Sequence, residues 1–166
     1  MNSQEAKTIA NFLIADFEYE IQMTLRVIES VPNNHLDYRP DSKSKTGLGL
    51  LRHLCVEDEW LLNGIANRAF SPPPDDGDGS GIASATEAAV RYKSRIPQAL
   101  NRVRELNGEQ LTQVVDLLGV IQMPVVNFLA LAIKHSAHHR GQLSTYIRSM
   151  GGKVPGIYGP SADTQG

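Results

Sequence analysis

Apolar residues in this chain recur at steps of three and four over long stretches, and no stretch of similar length alternates with the period of a strand. Ile9, Leu13, Phe17, Ile21, Thr24, Val27, Ile28 and Val31 form one such stripe and predict a helix from Gln4 to Val31, stopped by Pro32-Asn33-Asn34. A second helix is expected over Gly47 to Ala69. Leu50, His53, Glu57, Trp60 and Leu61 share one of its faces, while Leu51, Cys55 and Leu62 point the other way. A helix apolar on two sides is either central to its domain or covered by a partner chain. Ser84-Ala85-Thr86-Glu87 has the spacing of a capping box and opens a third helix, which carries Pro97 inside it, runs towards Leu106 and ends at Asn107-Gly108. Pro124 suits the first turn of a fourth, which should end near Met150-Gly151-Gly152. Leu111 to Val120 reads as irregular or weakly extended, and Ser71 to Gly81, with three prolines, three aspartates and three glycines, as the least ordered segment. The resulting fold class is all-α, an antiparallel four-helix bundle, with residues 1–166 as a single domain.

Composition narrows what such a fold can serve. Sixteen Lys and Arg against eighteen Asp and Glu give a formal charge of −2, so there is no whole-molecule positive field to hold nucleic acid or an anionic membrane. The single cysteine, Cys55, forms no intramolecular disulfide and is read as packing, in keeping with a reducing compartment. The amino terminus lacks the basic-then-apolar pattern of a signal peptide. The uncharged run Leu117–Ile133 contains Gln122, Pro124 and Asn127, whereas a membrane span needs roughly 20 predominantly apolar residues. A cytoplasmic location is expected.

The chemistry concentrates in Lys134-His135-Ser136-Ala137-His138-His139-Arg140-Gly141-Gln142-Leu143. His135 and His139 are four apart on a helix, so their rings project from one face and can converge on one ion. They share a stripe with Phe128, Leu131, Ala132, Gln142 and Tyr146, which is expected to face the core. His53 offers a third nitrogen. Three imidazoles from two helices suit Zn²⁺, Ni²⁺ or Fe²⁺ and leave coordination positions open. The alternative is that His135 and His139 are surface or hydrogen-bonded core histidines, with His53 unrelated to them.

Glu57, one turn after His53, is a candidate fourth ligand, acceptor for a ring N–H, or catalytic proton acceptor; an ordinary helix-side ion pair is the competing reading. Asp16 and Glu20 fall within the apolar face of the first helix and are candidates for lining the site, unless the helix is rotated to expose them. His138 either supports the site or faces water, and His35 lies in a loop without an assigned partner. Ser136 stands where an H-E-x-x-H motif has its glutamate, so a zincin-type protease lacks its base. Asp76, Asp78, Ser80, Gly81 and Glu87 partly match a calcium loop, but the prolines before them occupy the place of its helix.

Arg52-His53-Leu54, the segment His135–Leu143 and the tail Val154-Pro155-Gly156-Ile157-Tyr158-Gly159-Pro160 together resemble the DinB-like (DNA-damage-inducible) family, also called the YfiT-like metal-dependent hydrolases, over Phe12 to Asp163. The resemblance implies a four-helix bundle, a homodimer and a divalent metal held by three histidines, here His53, His135 and His139. It also implies a small-molecule substrate. Relatives include S-transferases using low-molecular-weight thiols and a mycothiol-dependent isomerase, so hydrolysis and thiol transfer are both implied, with a non-catalytic, stress-linked binding protein as the competing class. The acidic palm of the error-prone DNA polymerase of similar name has no counterpart.

Overall fold

The computed structural model of the chain describes residues 1–164, and among these are five α-helices, two 3₁₀ turns (Asn33–His35 and Asp78–Ser80) and one short hairpin. The last two residues of the expected 1–166 domain lie outside the described residues. The long helices are α1 (Ser3–Glu29), α2 (Gly47–Asn67), α3 (Ala85–Arg104) and α5 (Val125–Ser149), with a single short turn, α4 (Gly108–Thr112), between the last two. Local chemistry sets their ends. Asn2 caps α1 in a reciprocal box with Glu5, Thr46 accepts from the Gly49 N–H to cap α2, and Ser84 accepts from the Glu87 N–H at 3.1 Å to cap α3. The expected box at Ser84 is only half formed, because Glu87 reaches past the cap to the Ala83 N–H. α3 continues as helix through Pro97. Asn107 does not close that helix but opens α4, boxed with Gln110.

The segment Leu111–Val120 holds one strand, β1 (Val114–Leu117), which pairs antiparallel with a second just beyond it, β2 (Ile121–Pro124), with Leu117 opposite Ile121. The three-residue loop Leu118–Val120 between them has positive φ at Leu118 (54°) and at Gly119 (77°), and the Val120 N–H donates to the Leu117 carbonyl at 2.9 Å to close it. Pro124 ends β2 and caps α5, just ahead of the first turn where the sequence placed it.

α1 and α2 each pack against both α3 and α5. The two apolar sides of α2 are therefore covered within the chain, by α3 and α5, which accounts for its pattern without a partner. Its deepest positions are Leu51, Leu54, Cys55, Leu62 and Ile65; the stripe bearing His53, Glu57 and Trp60 is only half-buried. α5 behaves likewise. Leu129, Ser136, Arg140, Leu143 and Ile147 point inward; of the histidine stripe expected to face the core, Phe128, Ala132 and Tyr146 are buried, while His135 and His139 are half-buried at its rim and Gln142 is exposed. One polar layer crosses the interior: Thr24 of α1, Asp58 of α2, Tyr92 of α3 and Ser136 of α5 are all buried and hydrogen-bonded to one another. No described helix is long and apolar enough to cross a membrane.

Candidate metal centre

Helical spacing aligns His135 and His139 on α5, and the packing of α5 against α2 brings His53 to them. One ring nitrogen from each of the three lies within 4.8 Å of the others. The closest approach is His53 Nε2 to His139 Nε2, at 3.1 Å, and the ring centroids of His135 and His139 are 4.5 Å apart. A tetrahedral ion holding two imidazoles would set their nitrogens about 3.3 Å apart.

The opposite edge of each ring decides what these nitrogens can do. His53 Nδ1 lies 2.8 Å from Asp76 Oδ2, His135 Nδ1 2.8 Å from Asp58 Oδ1, and His139 Nδ1 2.9 Å from Gln142 Oε1. The two carboxylates only accept. Gln142 is fixed by its own amide, which donates to His138 Nε2 at 3.0 Å and so turns Oε1 towards His139. Each ring therefore donates from Nδ1 and, when neutral, presents a bare Nε2 lone pair. Two lone pairs facing each other at 3.1 Å repel unless a cation or a shared proton stands between them, so this donor set fits a divalent metal.

Burial adds a second argument. Asp58 has no exposed surface, and its partners are the His135 ring and the Tyr92 hydroxyl, which donates to Oδ2 at 2.8 Å. No Lys or Arg pairs with it among the described residues. A fully buried carboxylate needs a compensating positive charge, and an ion on the far side of the His135 ring supplies one. Desolvation, with the His135, His53 and His138 charges adding to it against the Gln142 hydrogen bond, lowers the His139 pKa from 6.5 to about 4, which keeps the ring neutral as a ligand must be.

Glu57 stands beside His53 and Asp76, its oxygen within 4.8 Å of theirs. Desolvation raises its pKa above the ordinary carboxylate value, against the opposing pull of His53 and His135. Asp76 goes the other way: burial raises it, but hydrogen bonds from Lys45, at 2.8 Å, and from His53 outweigh that and lower it. His53, Glu57 and Asp76 form a second possible ligand group. It is the weaker one, since Asp76 Oδ2 is already shared between the Lys45 ammonium and the ring N–H.

The other candidates separate. Asp16 is half-buried on α1 and is not part of either group, and Glu20 is buried but turned to Arg140 and to the Tyr158 hydroxyl, so neither lines the histidine cluster. Glu20 is stable there because Arg140, also buried, neutralises it. Cys55 packs beneath α3, its thiol aimed at the Ala88 carbonyl and its pKa pushed up by burial. His138 is exposed and acts through Gln142; His35 sits in an exposed 3₁₀ turn. Ser71–Gly81 is mostly without regular structure but is tied down: Arg52 bonds Asp78 Oδ1, Arg91 the Ser80 carbonyl and Trp60 the Ser71 carbonyl.

Sequence reasoning passed over Asp58 and Arg140, although both carried a signal. Asp58 falls on the Leu51, Cys55 and Leu62 stripe and Arg140 on the stripe of Leu129 and Ile147, so each is a charge on an apolar face. Asp76 carried only the discounted calcium-loop spacing, since a loop has no period that would tie it to His53.

The fold and this cluster define a mostly helical protein with a three-histidine group able to hold a metal. The chain belongs to the DinB family, whose model matches residues 4–165. It is 25% identical over 144 residues to the uncharacterised protein YjoA of Bacillus subtilis (strain 168), covering 86% of this chain and 91% of that one. Its fold is similar to that of a DinB-like protein from Bacillus cereus ATCC 10987, with a TM-score of 0.75 and 24% identity over 88% of this chain and 95% of that one. It is also similar to the mycothiol-dependent maleylpyruvate isomerase, with a TM-score of 0.63 and 15% identity; the match covers 86% of this chain and 61% of the isomerase.

Proposed function

We propose that His53, His135 and His139 hold a divalent ion, Zn, Ni or Fe, through their Nε2 atoms, and that the protein is a metal-dependent hydrolase or an S-transferase for a low-molecular-weight thiol. The observation that carries this reading is the commitment of all three Nδ1 atoms to acceptors, which leaves three lone pairs converging. When bound, such an ion lowers the pKa of a coordinated water or thiol and so supplies a nucleophile at neutral pH. Asp58, Asp76 and Gln142 hold the rings in their donor orientation. Glu57, with its raised pKa beside the cluster, takes up and returns the proton. A pocket of about 230 Å³ lined by Ser44, Lys45, Leu50, His139, Gln142 and Tyr146 adjoins the site and receives the small-molecule substrate. The name of the mycothiol-dependent isomerase favours a thiol, by analogy of fold only.

A second reading, a binding protein without turnover, draws on the size of that pocket, which lies below the roughly 300–1,000 Å³ usual for ligand sites. Elemental analysis of gently purified protein, beside His139→Ala, comes first: about one divalent ion per chain in the former and a large loss in the latter is expected. Equal metal in both sinks the proposal. A panel of thiols with electrophiles, and of hydrolysable esters and amides, then separates the classes: metal-dependent turnover lost in the variant and in Glu57→Gln marks the enzyme, and stoichiometric metal without turnover marks the binding protein.

The packing of each long helix against two others supports one antiparallel four-helix bundle over residues 1–166. The formal charge of −2 supplies no positive field for nucleic acid or an anionic membrane, and the single cysteine fits the reducing, cytoplasmic location proposed. A homodimer is proposed through the apolar face of α1 and the hairpin, where Phe12 is 71% and Val120 80% exposed.

A further inference from the structure

Two of the three rings are held by carboxylates of opposite character. Asp58 is rigid: it belongs to the same helix as His53, is wholly buried and is braced by Tyr92. Asp76 comes from the loop between α2 and α3, keeps about a quarter of its side-chain surface exposed, and reaches His53 only because the loop folds back over α2. Cations at the foot of the loop hold it there, Arg52 on Asp78 and Arg91 on the Ser80 carbonyl, while Lys45 holds Asp76 itself. Arg52 and His53 are adjacent, so one turn of α2 both anchors the loop and receives its carboxylate.

We propose that Asp76 is a positioning residue for His53, and that the loop carrying it is a clasp whose closure over α2 and metal occupancy favour each other. The inference rests on the three-histidine centre proposed above. With Asp76 in place, the His53 ring is fixed in the tautomer and rotation that present Nε2 to His139. With the loop displaced, the ring is free to turn about its side-chain bonds and to place its proton on Nε2, which removes one ligand. Coupling between two binding events is reciprocal, so a loop that strengthens metal binding by some factor is itself held shut by the metal to the same degree.

The test uses the full chain, with Zn²⁺ affinity measured by competition against a chromophoric chelator, the Co²⁺ visible spectrum as a probe of coordination, and hydrogen exchange of the loop with and without Zn²⁺. Asp76→Asn is expected to weaken Zn²⁺ binding about 10–100-fold, to alter the Co²⁺ spectrum, and to abolish the slowing of loop exchange that Zn²⁺ produces in the unaltered protein. Asp76→Glu should recover part of the affinity. Asp75→Asn makes the same charge change in the same loop without touching a histidine and keeps the oxygen that accepts from the Gly77 N–H; it should bind as the parent does. Equal affinities for Asp76→Asn and the parent overturn the inference while leaving the metal centre standing, provided His139→Ala still abolishes binding. Undiminished binding in His139→Ala, with loss in Asp76→Asn, moves the metal to the group of His53, Glu57 and Asp76 and overturns both readings.

Discussion

His139 shows how one residue ties the centre to the stability of the chain. Its folded pKa of about 4 lies below the 6.5 of a free imidazole, so at intermediate pH the unfolded chain binds a proton that the folded one refuses. Stability rises with pH wherever the unfolded state holds more protons. The metal-free protein should therefore lose stability as pH falls from about 6.5 towards about 4, while above that window His139 contributes no pH dependence. Urea unfolding at a series of pH values checks this, and His139→Gln should flatten that part of the profile. The same depressed pKa keeps protons from competing with metal at this ring down to about pH 4. A profile identical in the parent and the variant would show that the ring does not titrate as its burial demands.

Between helices, the most exacting contact is the Glu20–Arg140 ion pair, which joins α1 to α5. Both side chains are buried, and Thr24 of α1 and Tyr158 of the tail complete the hydrogen bonds of the guanidinium. Removing one member of a buried pair strands the other charge and costs about 3–5 kcal/mol. Glu20→Ala should lower unfolding stability by that amount in denaturant titration and free Tyr158, whose hydroxyl donates to both Glu20 oxygens. A replacement of both residues, Glu20→Leu with Arg140→Met, should cost much less, because no charge is left unpaired. The helices themselves were legible from their periods and caps, since backbone hydrogen bonding within a helix is local. The pairing of Glu20 with Arg140 was not, because nothing in either helix specifies which neighbour it meets.

Over the whole molecule, Ile9 of α1 and Ile121 of the hairpin are exposed and line a groove of about 500 Å³ with Leu13, Met123, Val126 and Leu131, and the same two elements expose Phe12, Leu118 and Val120. Apolar side chains exposed on these two elements make them the surface on which the proposed homodimer is tested. If the proposed homodimer uses it, Phe12→Glu combined with Val120→Asp should shift the protein to monomer in sedimentation velocity, leaving helix content and Zn²⁺ binding unchanged. Retention of the dimer would exclude this face. The two-sided apolar pattern of α2, read from the sequence as a hint of association, is met largely within the chain by α3 and α5, with the stripe of His53, Glu57 and Trp60 left half-buried.

The four long helices, the cap at Ser84 and the alignment of His135 with His139 follow from the amino-acid order alone, because each depends on residues within a turn or two of one another. The choice of partners was decided only when the helices packed. His53 is 86 residues from His139 and Asp76 is 23 from His53, and no local rule links such separations. The same packing took Asp16 and Glu20 away from the site and put Asp58 behind His135, since burial and charge compensation act through space and not along the chain.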